Sequence, residues 1–217
     1  ERINGTKLNP RKESLSEILP KVEESVNKIY SRTKSDAMSS RDLLNRAQLF
    51  LKAPSEYFEL NGTLDMLKEM IPEDALLPTA LVQGSLVCNN IVITPEGKVK
   101  FVNFTASGFN EPPIDIPFFI FNFEYLRNRN VLLNPVEVFS DYQLAGILGK
   151  FNAFLIVYGL IRSLYVKTKI LKTLEDELII RDLKESLFSS FELQTLLEIN
   201  LNLYMCRCLR RKTDVIP

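Results

Sequence analysis

Histidine and tryptophan are absent from the 217 residues. Without histidine there is no imidazole base, no histidine zinc ligand and no Ser/His/Asp or Cys/His arrangement, which excludes much of hydrolytic and metal chemistry. Cysteine is scarce: Cys88, Cys206 and Cys208 form an odd set without CxxC spacing. Neither a disulfide framework nor a metal site is therefore expected, and a reducing compartment is. Net charge is missing too, since Lys plus Arg and Asp plus Glu number 27 each. No whole-chain field favours nucleic acid or an acidic membrane. Glycine is sparse early in the chain: only Gly5 and Gly62 precede Gly84, so no glycine-rich phosphate loop exists there. The uncharged run from Phe151 to Ile161 is too short for a bilayer and sits between Lys150 and Arg162, so it reads as core and no membrane span is expected. Glu1 to Lys12 lack the apolar run of a signal peptide, and the expected location is intracellular, cytoplasmic or nuclear. Sequons at Asn4, Asn61 and Asn103 read as chance, the last because it falls in an expected buried strand.

What is present is an ordinary globular composition, 46% hydrophobic and 25% charged. The first 75 residues read as helical. Ile18, Val22, Val26, Ile29 and Tyr30 share one face, and a charged break follows from Arg32 to Asp36. Ser39 or Ser40 offers a cap for a second helix that Pro54 ends; Thr63 caps a third that Pro72 ends. A β region follows, with strands at Ala80-Leu81-Val82, Ile91-Val92-Ile93 and Val99 to Phe104, the last two joined by the turn Pro95-Glu96-Gly97. Helix returns after Pro117, with Phe118, Phe119, Phe121 and Phe123 as core. A long buried helix runs from Leu144 to Tyr165, and two more are expected around 174–187 and 196–209. The basic residues Arg207, Arg210, Arg211 and Lys212 read as a solvated helix end. The fold class expected is α+β, predominantly helical. The division is a helical N-terminal extension, 1–60, and a second domain, 61–217, or one continuous domain.

The chemistry-bearing stretch is Leu81-Val82-Gln83-Gly84-Ser85-Leu86-Val87-Cys88-Asn89-Asn90-Ile91-Val92-Ile93, with Asn103-Phe104-Thr105 thirteen residues beyond Asn90. It resembles the catalytic and metal-binding segments of the protein-kinase-like fold, most closely the aminoglycoside phosphotransferase and choline kinase branch. That pattern is an apolar strand, His-Gly-Asp-Leu, three residues, Asn, a second strand, a glycine turn, and a third strand ending in Asp-Phe. The stretch from Gly108 to Ile116 also resembles that branch, where a Gly, a Pro and a later Asp lead into a buried helix. A weaker likeness, through Leu15-Ser16-Glu17-Ile18-Leu19, is to the kinase non-catalytic C-lobe domain, although that family's tryptophan helix cannot be present.

The resemblance implies a kinase C-lobe with a small β-hairpin, and no N-lobe is recognisable, because no Val-Ala-X-Lys strand accompanies the missing phosphate loop. In the family two Asp residues and an Asn position the nucleophile and hold metal. Here only the Asn is kept, as Asn90. Gln83 stands for the His, Ser85 for the first Asp, Asn103 for the second and Thr105 for the following Gly. A positioned base is worth about 10² to 10⁴ in rate, and Ser cannot replace a carboxylate in that task near neutral pH. The expected function is thus a non-catalytic, pseudokinase-type scaffold or adaptor without cofactor. Its protein partners would bind through the N-terminal helices or the face an N-lobe would cover. The alternative is a small-molecule phosphotransferase using ATP and Mg²⁺, with Asn90 and Asn103 on the metal and Asp115 or Glu111 as base. A third possibility is an unrelated helical interaction domain with a chance motif. Asp115 reads as structural, capping its helix or bonding the loop above it, and Cys88 as passive.

Overall fold

The stripe from Ile18 to Tyr30 builds α1 (Leu15–Thr33), which buries Ile18, Val22 and Val26. The computed structural model describes residues 3–57, 60, 62–127 and 150–173, together with 181 and 185. The helices expected around 174–187 and 196–209, Cys206, Cys208 and the basic cluster at 207–212 lie outside these residues, as do Leu144, Ile147 and Leu148. Ser39 caps α2 (Ser40–Lys52), its hydroxyl accepting from the Asp42 N–H at 3.2 Å. Pro54 then opens a 3-10 turn, Pro54–Glu56. The cap of α3 (Thr63–Met70) is not Thr63: Gly62 takes that place at φ 87°. Glycine wins because this entry is left-handed, a region a side-chain-bearing residue reaches only at a cost.

The N-terminal part is not wholly helical. It carries two short strands, β1 (Thr6–Lys7) and β2 (Ser35–Ser39). With β3 (Leu76–Val82), β4 (Ile91–Ile93), β5 (Val99–Phe101) and β6 (Gly108–Glu111) they make two three-stranded antiparallel sheets, ordered β1-β4-β5 and β2-β3-β6. The expected β4–β5 hairpin is one part of this. Its turn is closed by Thr94 N–H to Lys98 O at 2.9 Å and by Gly97 at φ 72°. β2, with its Ser-Asp-Ala-Met-Ser sequence, has no strand-favouring residue, and the mostly polar β6 has one, Phe109. Both form because β3 offers them a ladder, and Ser35 adds a hydroxyl contact to Thr79 at 2.7 Å.

The third expected strand also ends early. Regular pairing stops at Phe101, and Asn103 turns left-handed at φ 58° into a 3-10 turn, Phe104–Ala106. The Gln83 side-chain amide causes this, donating to the carbonyls of Val102 (3.1 Å) and Asn103 (2.8 Å). With those acceptors satisfied away from a ladder, the backbone is free to bend. Asn103 is consequently exposed, not buried in a strand.

Two helices complete the described fold, α4 (Asp115–Arg127) and α5 (Lys150–Lys172). Apart from Asn122, the sequence Phe118-Phe119-Ile120-Phe121-Asn122-Phe123 is apolar all round, as befits a helix buried on opposite sides. Phe118 and Phe121 join α2, α3 and α5 in one core, while Phe119, Ile120 and Phe123 join α1 and β4 in a second. Phe154 to Leu164 of α5 are buried as well. Among the described residues no helix is long and apolar enough to cross a membrane.

Candidate functional site

The loop between β3 and β4 is held from beneath by Asp115, the first residue of α4. Its Oδ2 accepts from the Gln83 N–H and its Oδ1 from the Gly84 N–H, both at 2.9 Å. The Tyr30 hydroxyl donates to the same carboxylate at 3.2 Å and accepts from the Asp115 N–H at 3.3 Å. Of the two structural roles expected for Asp115, bonding the loop is the one observed. Burial pushes its carboxyl above the usual range; the bonds from Gly84, Gln83 and Tyr30, then the Arg162 charge, offset part of that rise. Burial also drives the Tyr30 hydroxyl far upward, so Tyr30 stays a neutral donor.

Gln83, Ser85 and Asn90 of this loop are brought together with Asn103 and Thr105, which follow β5. Gln83 Oε1 accepts from the Ser85 N–H at 2.8 Å, and Asn90 Nδ2 donates to Ser85 O at 2.8 Å. Asn103 Nδ2 reaches Asn90 Oδ1 at 3.4 Å, and the Thr105 hydroxyl donates to Asn103 Oδ1. Two asparagines thirteen positions apart thus meet across the β4–β5 hairpin, which a chance motif would not require. Gln83, Ser85 and Asn90 are buried; Asn103 and Thr105 are exposed. Cys88 is buried too, which lifts its thiol to about 12, and its N–H donates to Asn122 Oδ1 at 2.9 Å.

A second polar group surrounds Glu111, which the sequence offered only as an alternative base and without its partners. The Glu111 carboxylate accepts from Arg162 Nε at 3.0 Å and from the Tyr158 hydroxyl at 2.9 Å, with Arg46 at 3.8 Å. Burial, and Glu111 beside it, push the Tyr158 hydroxyl well above its ordinary range. Arg162 also donates to Ala106 O. Its guanidinium fills the space that Gly84 and Gly108 leave, where a Cβ on either glycine would overlap it. A signal for this did exist: Arg162 is the one charged residue between Phe151 and Leu164. A charge in a buried run needs a partner of opposite sign.

The donor set does not suit Mg²⁺. None of Ser85, Asn90 and Asn103 is a carboxylate, and a hard dication draws its affinity from charged oxygens. Among the described residues no three His, Cys, Asp or Glu side chains gather as metal ligands. A cavity of about 60 Å³ opens beside Ser85, Asn103 and Thr105, with Ser163 and Lys167 of α5 across from them. A larger depression of about 480 Å³ lies between α2 and β2, where Asp36, Asp42, Asn45 and Arg46 face it.

No family profile matches the sequence, and no curated protein matches it. Among solved structures the chain is similar to a "putative aminoglycoside phosphotransferase" from Ralstonia eutropha JMP134. The TM-score is 0.50 at 14% identity, over 90% of this chain and 71% of that one. At this identity the likeness speaks for fold alone, a kinase-like phosphotransferase fold of mixed α and β structure.

Proposed function

We propose that the chain is a non-catalytic, pseudokinase-type domain that works as a protein-binding scaffold or adaptor. The observation that carries this reading is how the polar groups of the loop are used. Asn90 and Asn103 bond each other and the backbone, and Gln83 ties three peptide groups together. The two carboxylates that could have replaced the lost bases are engaged elsewhere, Asp115 by the loop N–H groups and Glu111 by Arg162 and Tyr158. Side chains that would hold metal and position a nucleophile instead hold the loop in shape. Partners would be proteins, bound through the N-terminal helices; the depression beside α2 has the size of a site for a few side chains. A cell-interior location, cytoplasmic or nuclear, fits the free, buried Cys88 thiol.

The rival reading, a small-molecule phosphotransferase using ATP and Mg²⁺, is favoured by the likeness to the Ralstonia protein. Thermal melting with millimolar ATP and Mg²⁺ separates the two. A ligand at 100 times its Kd adds about 2.7 kcal/mol, roughly 5–10 °C for a chain of this size. The scaffold reading expects no such shift. A shift of that size, abolished in Asn103→Ala, would overturn the scaffold reading in its simple form.

A further inference from the structure

We infer that the cleft between the Ser85 loop and α5 is a metal-free site for a small tetrahedral oxyanion of the phosphate type. The inference deepens the non-catalytic reading of that cleft and rests on it. Ser85, Asn103 and Thr105 line one wall, and Ser163, Val166, Lys167 and Ile170 the other. The space is about 60 Å³. A water-sized group needs roughly 10–15 Å³ of such space, so about four to six groups fit, enough for four oxygens around one central atom. It is too small for an organic ligand of ordinary size.

The chemistry of the lining selects the sign of the ligand. Among the described lining residues there is no carboxylate, and Lys167 is the one charged side chain. An ammonium repels a metal cation, and hydroxyls and an amide hold one weakly without a carboxylate. The Ser85 hydroxyl, the second Asn103 N–H and the Lys167 ammonium can instead donate to an oxyanion, whose charge strengthens each bond. An ammonium has three donors, so Lys167 can take part alongside its other contact. A second observation points to an occupant. Ser85 is only 9% exposed, yet its hydroxyl has no hydrogen-bond partner among the described residues. Buried hydroxyls without partners are rare in folded proteins, and this one lines the cleft. Thr105 and Ile170 are exposed at its rim, which leaves a route from solvent. Replacing two carboxylates by Ser85 and Asn103 has, on this view, turned a place for cations into a place for an anion.

The test uses the full chain and inorganic phosphate, with melting followed against chloride at matched ionic strength, with and without Mg²⁺. Phosphate is expected to raise the melting point saturably without Mg²⁺. Lys167→Met should weaken phosphate about tenfold to hundredfold, the usual range for losing a charged donor. Ser85→Ala should weaken it too, while the ligand-free variant melts no lower than the parent, because the deleted hydroxyl had no partner. If Lys167→Met does not fold, Ser85→Ala carries the test. The inference is overturned by an unsaturable or absent response, which would mean water fills the cleft, or by a response unchanged in Ser85→Ala. A response that needs Mg²⁺ overturns it as well. Stabilisation by Mg²⁺ and ATP would sink the non-catalytic reading; silence toward both phosphate and ATP would sink the oxyanion site alone. A phosphoserine peptide, run beside its unphosphorylated form, tells a free oxyanion from a phosphorylated partner side chain.

Discussion

Replacing Arg162 by methionine should be among the most damaging single changes in the described fold that leave the backbone's preferred geometry alone. Methionine keeps much of the apolar stem and deletes the guanidinium. The Arg162 and Glu111 side chains are 5% and 7% exposed, and their bond is 3.0 Å long. After the change Glu111 would keep the Tyr158 hydroxyl at 2.9 Å and the half-exposed Arg46 at 3.8 Å, and Ala106 O would lose a donor. Removing one partner of a buried ion pair costs about 3–5 kcal/mol, because the remaining charge stays buried. At 2–4 °C per kcal/mol this lowers the melting point by roughly 6–20 °C. Urea unfolding measures the same loss directly, and it should persist at high salt, since buried pairs are screened little. Adding Glu111→Gln to Arg162→Met should recover part of the loss, because the stranded charge goes. A loss under about 1 kcal/mol, or a double variant no better than Arg162→Met, would refute the reasoning.

Three further outcomes are expected. Gly84→Ala should cost at least about 3 kcal/mol by urea unfolding, since Gly84 sits at φ 82° and a Cβ would overlap the Ala106 carbonyl and Arg162. Cys88, in a Cys206→Ser/Cys208→Ser background, should resist a thiol reagent at neutral pH until the protein unfolds, because burial lifts the thiol to about 12. For Asp115 the folded pKa lies above its ordinary 3.8. The folded state therefore holds that proton more tightly, and the resulting stability is full below about 3.8 and lost as pH rises through the folded value. The stability of the parent minus that of Asp115→Asn should accordingly fall as pH rises from about 4, and a flat or rising difference would contradict it.

The sequence made legible what local pattern controls. The α1 stripe, the Ser39 cap, Pro54, the Pro95-Glu96-Gly97 turn and the phenylalanines of α4 all lie in the structure as periodicity and turn chemistry dictate. The offsets of Asn90 and Asn103 were legible as well, because a hairpin of fixed length joins them. What was not legible depends on partners far along the chain. Strands β1, β2 and β6 have weak propensities of their own and exist because β3 and β4 pair with them. Asn103 was misread as strand because the bend comes from the Gln83 amide, some twenty positions earlier. Glu111 and Arg162 carry no spacing signal, since nothing short of the folded chain brings β6 against α5.

The β1 strand has a bearing on how the chain acquires its shape during synthesis. Thr6 pairs with Ile93 and Lys7 with Val92, and the Leu8 N–H donates to Ile91 O at 3.0 Å. Made well before β4, they wait for a partner strand that emerges much later. Contacts so distant in sequence slow folding, because the intervening loop must close before they reward it. Until then the free edge of β4 can recruit a strand from another chain, and β1 is what closes that edge to strangers.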